Sequence, residues 1–361
     1  MELIPESILL KYNLQKEAFI QQIGSGFINR TFLVYNPLYT ENQFILQEVN
    51  STVFKSPYDI ANNVDLISKF LHHHYPNYLF PSFIPNIDGQ LITEEDGIYW
   101  RMSHYIKESI AYNTLSNPNQ AFQAAAQFGK LTRLLDKFPI DQLAYTIPDF
   151  HNLDFRLNQF KDACLKAQTN KIEDSIDTIN LANNYEYISN YYNSYLKSPD
   201  FKNRAIHHDT KISNVLLNKH DDSGICVIDL DTLMPGKFTS DLGDMMRTYL
   251  CAFSENEADL SKINIRISYF ESMIRGYLSE TSQILTNTEL ELLLFSGKYI
   301  VYMQAIRFLT DHLNGDIYYK IEYPNQNLNR AKNQFKLLNE LIKNEVLLQD
   351  IIDKAIKEYR K

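Results

Sequence analysis

The chain has 361 residues, of which 44% are hydrophobic and 22% charged, a composition typical of a globular protein of about two domains. Its net charge of −9 (35 Lys and Arg against 44 Asp and Glu) argues against nucleic acid or an anionic membrane as partner. The three cysteines are far apart, no apolar run approaches the roughly 20 residues of a membrane span, and the N-terminus does not resemble a signal peptide, so we expect a cytoplasmic protein.

The first hundred residues predict a small sheet with one helix against it. Runs rich in β-branched and aromatic residues predict strands at 18–23, 31–34, 44–49 and 98–102. Apolar residues between 62 and 73 recur at helical spacing, which predicts a helix. Asp88-Gly89 and Asp96-Gly97 are dipeptides typical of hairpin turns.

After about residue 107 the sequence becomes mostly helical. Apolar residues recur every three or four positions in four stretches, at 122–138, 181–195, 288–312 and 331–346. One hairpin is predicted among them, with strands at 215–217 and 225–228 around a polar turn at 221–224. We therefore expect an α+β protein in which residues 1–104 form a small β-rich domain, residues 105–361 form a larger helical domain, and a cleft separates the two.

The densest polar segments flank that hairpin: His207-His208-Asp209-Thr210-Lys211-Ile212-Ser213-Asn214 and Ile228-Asp229-Leu230-Asp231. Oxygens such as those of Asn214 and Asp229 are suited to Mg²⁺, which takes one or two protein ligands beside phosphate and water. Asp209 can accept a proton from a hydroxyl, and Lys211 can lie against a transferred phosphate as a point charge. Aligned oxygens, a metal and a carboxylate that orients the nucleophile are what phosphoryl transfer requires. His207 is interpreted as a residue that orders the loop.

Gly24-Ser25-Gly26, between the first two predicted strands, is the candidate for contact with the phosphates of ATP. Glycine lets backbone N–H groups approach a phosphate closely, although a tight hairpin turn also explains the same pattern. The sequence contains no G-x-x-x-x-G-K-[ST], which excludes a P-loop enzyme. We interpret His72-His73-His74 as a solvated helix end, because adjacent helical residues point about 100° apart and cannot converge on one metal ion.

These segments resemble the aminoglycoside-phosphotransferase-like kinases, small-molecule relatives of protein kinases, and more narrowly the N-acetylhexosamine 1-kinases. The matching segments include Gly24-x-Gly26-x-Ile28-Asn29-x-Thr31, Phe44-Ile45-Leu46-Gln47, His208-Asp209-Thr210-Lys211-x-x-Asn214, Ile228-Asp229-Leu230-Asp231, Asp241-x-Gly243-Asp244, Arg307-Phe308-Leu309 and Gly315-Asp316-Ile317-Tyr318. The resemblance implies a two-lobed protein-kinase-like fold. It also implies transfer of the γ-phosphate of ATP, with Mg²⁺, to the anomeric hydroxyl of an N-acetylhexosamine.

The resemblance also implies a role for each matching residue. Asp209 would be the catalytic base, with Lys211 beside it, and Asn214 and Asp229 would hold Mg²⁺ with Asp231 as a helper. The nucleotide would contact Gly24, Ser25, Gly26 and Gln47, and the sugar would contact Asn29, Asp209, Arg307 and Tyr318. The motif Asp241-x-Gly243-Asp244 would scaffold the metal-binding loop rather than bind the metal.

Two positions depart from expected patterns. Gln47 occupies the third-strand position where most protein kinases have a phosphate-binding lysine, and the hexosamine kinases share this glutamine. Phe27 replaces a histidine of the hexosamine kinases, which leaves another hydroxyl acceptor open: an aminoglycoside, an amino alcohol or a thio-ribose. Arg307 argues against cationic acceptors. The remaining alternative is a nucleotide-binding module without catalysis.

Overall fold

An antiparallel sheet with two helices makes up the first hundred residues. The structure is a computed structural model that describes residues 4–14, 17–23, 28–39 and 41–360. The strands are β1 (Phe19–Gln22), β2 (Arg30–Tyr35), β3 (Gln43–Val49), β4 (Phe83–Ile84), β5 (Thr93–Glu95) and β6 (Ile98–His104), and the helices are α1 (Glu6–Lys11) and α2 (Pro57–His74). The order across the sheet is β1-β2-β3-β6, and both β4 and β5 pair with the outer edge of β6.

The two faces of this sheet have different side chains, as expected when successive residues of a strand alternate. One face, made by Phe32, Val34, Leu46, Trp100 and Met102, is buried in a core with Ile8 and Leu9 of α1. The opposite face carries Thr31, Gln47 and Arg101, which are cross-strand neighbours. The sheet thus sets one row of polar side chains on the face away from its own apolar core.

The rest of the chain is mostly helical. Its helices are α3 (Pro118–Leu134), α4 (Leu153–Lys166), α5 (Thr169–Asn184), α6 (Tyr187–Leu196), α7 (Phe238–Tyr249), α8 (Ile267–Thr281), α9 (Asn287–Glu291), α10 (Leu293–Leu313), α11 (Gln326–Lys343) and α12 (Glu345–Tyr359). Helix α10 is buried along most of its length and packs against α4, α7 and α11, so it forms the centre of this part. The short strands are β7 (Ser109–Ile110), β8 (Arg204–Ile206), β9 (Val215–Asn218), β10 (Gly224–Val227) and β11 (Met234–Gly236).

The predicted fold class is confirmed, including the antiparallel β9–β10 hairpin and the exposed histidines at the end of α2. The predicted domain boundary stays a prediction; β6 ends at His104, and β7 just beyond it pairs with β9. Within the described residues, no helix has both the length and the apolar character needed to cross a bilayer.

Four sequence predictions need correction. The stretch 181–195 is two helices, because the chain turns at Tyr185 and Glu186 between α5 and α6. The stretch 288–312 spans α9 and nearly all of α10, and the stretch 331–346 spans the end of α11 and the start of α12. Asp88-Gly89 does form a turn, but the strands on either side both pair with β6 rather than with each other. The helix breaks are hidden because the apolar spacing continues from one helix into the next. The partner of the strands beside Asp88-Gly89 is hidden because the same turn residues suit strands that pair with each other and strands that pair with a third.

Candidate active site

The loop of residues 207–214, called here the Asp209 loop, leads from β8 into β9 and fixes one oxygen of the Asp209 carboxylate. Asn214 donates from Nδ2 to the backbone oxygen of Asp209 at 2.8 Å and to its Oδ2 at 2.9 Å. Lys211 Nζ donates to the same Oδ2 at 2.8 Å. Oδ1 accepts no hydrogen bond from any residue in the described ranges. The carboxylate is thus oriented through one oxygen, and the other can accept a hydroxyl proton.

The charge of Asp209 is stabilised by the same neighbours. Burial opposes its ionisation, but the Lys211 ammonium group and the hydrogen bonds from Lys211 and Asn214 hold the pKa of Asp209 below its ordinary value. The attraction is mutual: burial opposes the charge of Lys211, yet Asp209 and Asp229 raise its pKa. Asp209 is therefore ionised at neutral pH and can act as a hydrogen-bond acceptor for a substrate hydroxyl.

Asp229 lies beside Asn214, at the end of β10. The backbone N–H of Ile228 donates to the backbone oxygen of Asn214 at 2.8 Å, which joins the two segments, and Asp229 has a left-handed φ of 60°. Asp229 is exposed to solvent, and the nearby protein removes part of the hydration of its carboxylate. This loss, together with the carboxylates of Asp231 and Asp209, raises the pKa of Asp229 to about 7.

The Asn214–Asp229 pair fits a hard cation. The Asp229 carboxylate has no hydrogen bond or ion pair with the residues that the structure describes. Its pKa is raised by lost hydration and then by repulsion from Asp231 and Asp209, and a bound cation would offset both effects. Over the same residues there is no group of three or more His, Cys, Asp or Glu side chains that could hold a metal ion by themselves. A site of two protein oxygens completed by phosphate and water is the kind that Mg²⁺ uses with nucleotides.

Asp231 has other partners. Its Oδ1 pairs with Nη1 of Arg101, with both side chains 2% exposed, and its Oδ2 accepts from Nδ2 of Asn29 at 2.6 Å. The Oδ1 of Asn29 also accepts the backbone N–H of Asn50 at 3.0 Å, so the nitrogen and the oxygen of its side-chain amide are both hydrogen-bonded. The sequence predicts Asp231 as a helper at the metal and Asn29 as a contact of the sugar, and both roles stay predictions. In the structure the two side chains bind each other, and Asp231 also binds Arg101.

Two carboxylates of α7 accept hydrogen bonds from the backbone of the Asp209 loop. Asp241 accepts the backbone N–H of His207 at 3.2 Å and that of His208 at 2.7 Å, and Asp244 accepts that of Thr210 at 2.8 Å. Burial raises the pKa of Asp241 to about 6. The motif that contains these residues is a scaffold, as predicted, but for the Asp209 loop rather than for the segment that carries Asp229.

His207 orders the loop, in agreement with its interpretation from sequence. Its Nε2 is 2.9 Å from the backbone oxygen of Ile228, and its Nδ1 accepts the N–H of Asp209 at 3.3 Å. The hydroxyl of Thr232 donates to the backbone oxygen of His207 at 2.6 Å. These contacts tie the Asp209 loop to the end of β10, and so fix Asp209 relative to Asp229.

Arg307 and Tyr318 line one cavity of about 380 Å³ between α4, α10 and the segment 317–319. The Oδ1 of Asp311 accepts the backbone N–H groups of Ile317 at 3.1 Å and Tyr318 at 2.8 Å, which shapes that segment. Tyr318 is 67% exposed, and Arg307 donates from Nη1 to Gln304 at 3.1 Å. The structure thus brings together two of the predicted sugar contacts. The other two predicted sugar contacts, Asn29 and Asp209, do not line this cavity, which we call the Arg307 cavity.

A second guanidinium also lines the Arg307 cavity. Burial, and then the nearby charge of Arg307, lower the pKa of Arg156 to about 10. Arg156 donates to Gln159 and to backbone oxygens, and its Nε is buried without a hydrogen-bond partner. Two carboxylates also line the cavity: Asp311 is occupied by backbone N–H groups, and Asp162 lies 3.9 Å from the ammonium group of Lys166, a third lining cation. The cavity therefore offers mainly positive hydrogen-bond donors.

Two groups of residues complete the comparison with the sequence predictions. Gly24, Ser25, Gly26 and Phe27 lie outside the described residues. Gln47 lies on the polar face of the sheet, where it bonds Thr31 and Arg101. Sequence analysis missed Arg101; its signal was a lone charged residue inside the otherwise apolar and aromatic strand Ile98-Tyr99-Trp100-Arg101-Met102.

Comparison with known proteins identifies the family. Residues 20–264 match the phosphotransferase enzyme family, APH, and the chain belongs to it. A solved microcompartment-associated aminopropanol kinase is similar with a TM-score of 0.64 at 16% identity, over 94% of this chain and 97% of that one. An amicoumacin kinase in complex with AMP-PNP, Ca²⁺ and Ami is similar with a TM-score of 0.63 at 13% identity, over 92% of both chains. A spectinomycin phosphotransferase with ADP and spectinomycin has a TM-score of 0.61 at 14% identity, over 95% of this chain and 99% of that one.

Proposed function

We propose that the protein is an ATP- and Mg²⁺-dependent kinase that phosphorylates the anomeric hydroxyl of an N-acetylhexosamine, N-acetylglucosamine or N-acetylgalactosamine, to give the sugar 1-phosphate and ADP. The observation that carries this proposal is the juxtaposition of Asp209, Asn214 and Asp229 through the bonds from Asn214 to Asp209 and from Ile228 to Asn214. Such a base beside a two-oxygen cation site is the arrangement that kinases use for transfer to a hydroxyl.

In this mechanism Asp209 orients the acceptor. Its free Oδ1 accepts the hydrogen bond of the anomeric hydroxyl. It takes the proton as the sugar oxygen bonds to the γ-phosphorus and the bond from that phosphorus to the leaving oxygen of ADP breaks, while Lys211 and Asn214 hold Oδ2. Asn214 and Asp229 would hold Mg²⁺, which neutralises charge on the phosphates. Lys211, in contact with Asp209, is also available to the transferred phosphate.

The Arg307 cavity supports a sugar acceptor. Arg307, Arg156 and Tyr318 supply donors for hydroxyl and carbonyl oxygens, and the tyrosine rings supply flat apolar surface. The N-acetylhexosamine assignment rests on the resemblance of the motifs around Arg307 and Tyr318 to those of the N-acetylhexosamine 1-kinases.

A second acceptor class comes from the structural neighbours. Their names include an aminopropanol kinase and a spectinomycin phosphotransferase, so an amino alcohol or an aminoglycoside is the main alternative. Two guanidinium groups in the Arg307 cavity disfavour it, because a cationic acceptor would meet like charge at both.

The test is an acceptor panel with an ADP-release readout. It contains N-acetylglucosamine, N-acetylgalactosamine, glucose, galactose, aminopropanol and spectinomycin, each with ATP and Mg²⁺. The proposal expects turnover with an N-acetylhexosamine at least tenfold above that with the amines. Turnover confined to the amines would select the alternative. A thermal shift with ATP and Mg²⁺ but no turnover on the panel would indicate a non-catalytic nucleotide-binding module.

A further inference from the structure

Arg101 is a buried cation that none of the roles above uses. Only 2% of its side chain is exposed, and its guanidinium lies 4.7 Å from the centre of the Phe83 ring. Its Nε donates to Oε1 of Gln47 at 3.0 Å, and its Nη1 donates to Asp231. A buried ion pair is often no more stabilising than an apolar pair of the same size, so stability alone does not account for it.

The sheet fixes where this cation stands. Thr31, Gln47 and Arg101 are consecutive cross-strand partners on β2, β3 and β6. The Nε2 of Gln47 donates to Oγ1 of Thr31 at 3.1 Å, which turns the Gln47 oxygen toward Arg101. Gln47 therefore positions the guanidinium, and it does so from the strand position that carries the phosphate-binding lysine in protein kinases.

Both members of the protein-kinase ion pair are missing here. In protein kinases the third-strand lysine contacts the nucleotide phosphates and pairs with a glutamate of the neighbouring helix. This chain has Gln47 at the lysine position, and α2 contains no glutamate. In their place it has Arg101, directly opposite Gln47 on β6, paired with Asp231, two residues beyond Asp229. This chain thus also has an ion pair, but its cation comes from β6 and its carboxylate from the segment after β10, rather than from the third strand and the neighbouring helix.

Arg101 is close to the other charges of the site and retains donor capacity. Its charge acts on Asp229, where it opposes the rise in that carboxyl's pKa. Its bonds to Gln47 and Asp231 use two of the five N–H donors of a guanidinium. A planar guanidinium can bind phosphate through two parallel hydrogen bonds, which a lysine cannot do.

We infer that Arg101 binds the phosphates of the nucleotide in place of the missing third-strand lysine, with Gln47 as its positioning residue and Asp231 as its counter-ion. This inference rests on the proposed nucleotide site and is independent of the acceptor. It assigns to Gln47 an indirect role: it holds Arg101, and Arg101 contacts the phosphates.

The test compares the binding of ATP with that of adenosine by calorimetry, without metal and without acceptor. Replacing both charges, in R101Q/D231N, removes the cation and leaves no unpaired buried charge. We expect this variant to bind ATP at least tenfold more weakly than the native chain, and adenosine within twofold. The matched control R30Q/E48Q removes the 2.6 Å ion pair between β2 and β3, and we expect it to change neither affinity.

One further variant, D231N, keeps the test decisive if R101Q/D231N does not fold, and another extends the test if R101Q/D231N does fold. D231N alone retains the cation, so we expect ATP binding to be kept or strengthened; a tenfold loss would overturn the inference. Adding Q47K to R101Q/D231N returns a cation to the kinase position, and ATP binding should recover. Equal losses for ATP and adenosine in R101Q/D231N, or no loss of either, would show that Arg101 is only structural. Because no acceptor is present, these outcomes do not depend on whether the sugar proposal holds.

Discussion

The Asp209 loop and the Arg307 cavity are held in place in different ways. The loop is fixed by buried carboxylates of α7, which accept its backbone N–H groups, and by His207, which ties it to β10. The cavity is lined by side chains of α4, α10 and the segment 317–319, and one of them, Tyr318, is largely exposed. The loop proposed for phosphoryl transfer is thus held by hydrogen bonds to buried side chains, whereas the proposed acceptor cavity is lined in part by an exposed side chain.

This difference predicts where substitutions should act on the rate and where on acceptor affinity. Changes at the Asp209 loop should lower kcat or stability and leave acceptor specificity unchanged. Changes in the Arg307 cavity should alter acceptor KM and leave the nucleotide site intact. The four predictions below test this division, from the largest expected effect to the smallest.

Asp209→Asn should lower kcat by about 10²–10⁴-fold, because the amide cannot take the hydroxyl proton. The affinity for ATP, measured by calorimetry, should stay within about twofold of the native value. The loss of one hydrogen bond to a charged group would change it by more than that. The matched control is Asp221→Asn in the exposed turn of the β9–β10 hairpin, which should leave kcat unchanged. A loss in kcat of only a few-fold for Asp209→Asn would remove Asp209 as the base.

Asp241→Ala should lower the free energy of unfolding by roughly 2–4 kcal/mol, because the buried N–H groups of His207 and His208 would lose their acceptor. Denaturant titration measures this loss. Asp350→Ala removes only an exposed pair with Lys354, so the control should change stability by less than about 0.5 kcal/mol. Equal effects of the two substitutions would contradict the scaffold role of Asp241.

Arg307→Gln should raise the acceptor KM about tenfold, the effect expected for losing one hydrogen bond from a charged donor. The KM for ATP should not change, since Arg307 lines a cavity formed by α4, α10 and the segment 317–319. Arg133→Gln, which breaks an ion pair between α3 and α8, is the control for loss of an arginine. A rise in the KM for ATP with no rise for the acceptor would place Arg307 in the nucleotide site instead.

Mg²⁺ binding should weaken as the pH falls below 7. The pKa of Asp229 is about 7 because of lost hydration and the neighbouring Asp231 and Asp209, so below pH 7 a proton competes with the metal for this carboxylate. The apparent Kd for Mg²⁺ should rise by up to about tenfold per pH unit below 7 and level off above 8. Titration with Mg²⁺ at pH 6, 7 and 8 measures it, and a Kd independent of pH would argue against Asp229 as a ligand.

Features that depend on residues close in sequence could be predicted from the sequence. Asp209, Asn214 and Asp229 stand at a characteristic short spacing on one loop and one hairpin, and the structure brings them together through local hydrogen bonds. The positions of four strands along the chain followed from β-branched and aromatic runs. The helical character of the second half followed from apolar periodicity, because that periodicity reflects which face is buried.

Contacts between distant elements were not predictable. Arg101 and Asp231 are 130 residues apart, and nothing in either segment indicates that they pair. The roles of Asp231 at the metal and of Asn29 at the sugar come from the family resemblance alone, which does not reveal that the two side chains bind each other. The break between α5 and α6 at Tyr185 was hidden for a related reason: its apolar spacing continues across the turn, since both helices bury side chains in the same core.

The most direct test of the central claim is to identify the phosphorylated position of the product. N-acetylglucosamine or N-acetylgalactosamine is incubated with the protein, ATP and Mg²⁺, and the product is analysed by phosphorus and proton NMR. If Asp209 is the base for transfer to the anomeric hydroxyl, we expect a phosphorus signal coupled to the anomeric proton of the sugar, and no such product from Asp209→Asn over the same time. A phosphate on any other hydroxyl, or the same product yield from Asp209→Asn, would contradict it.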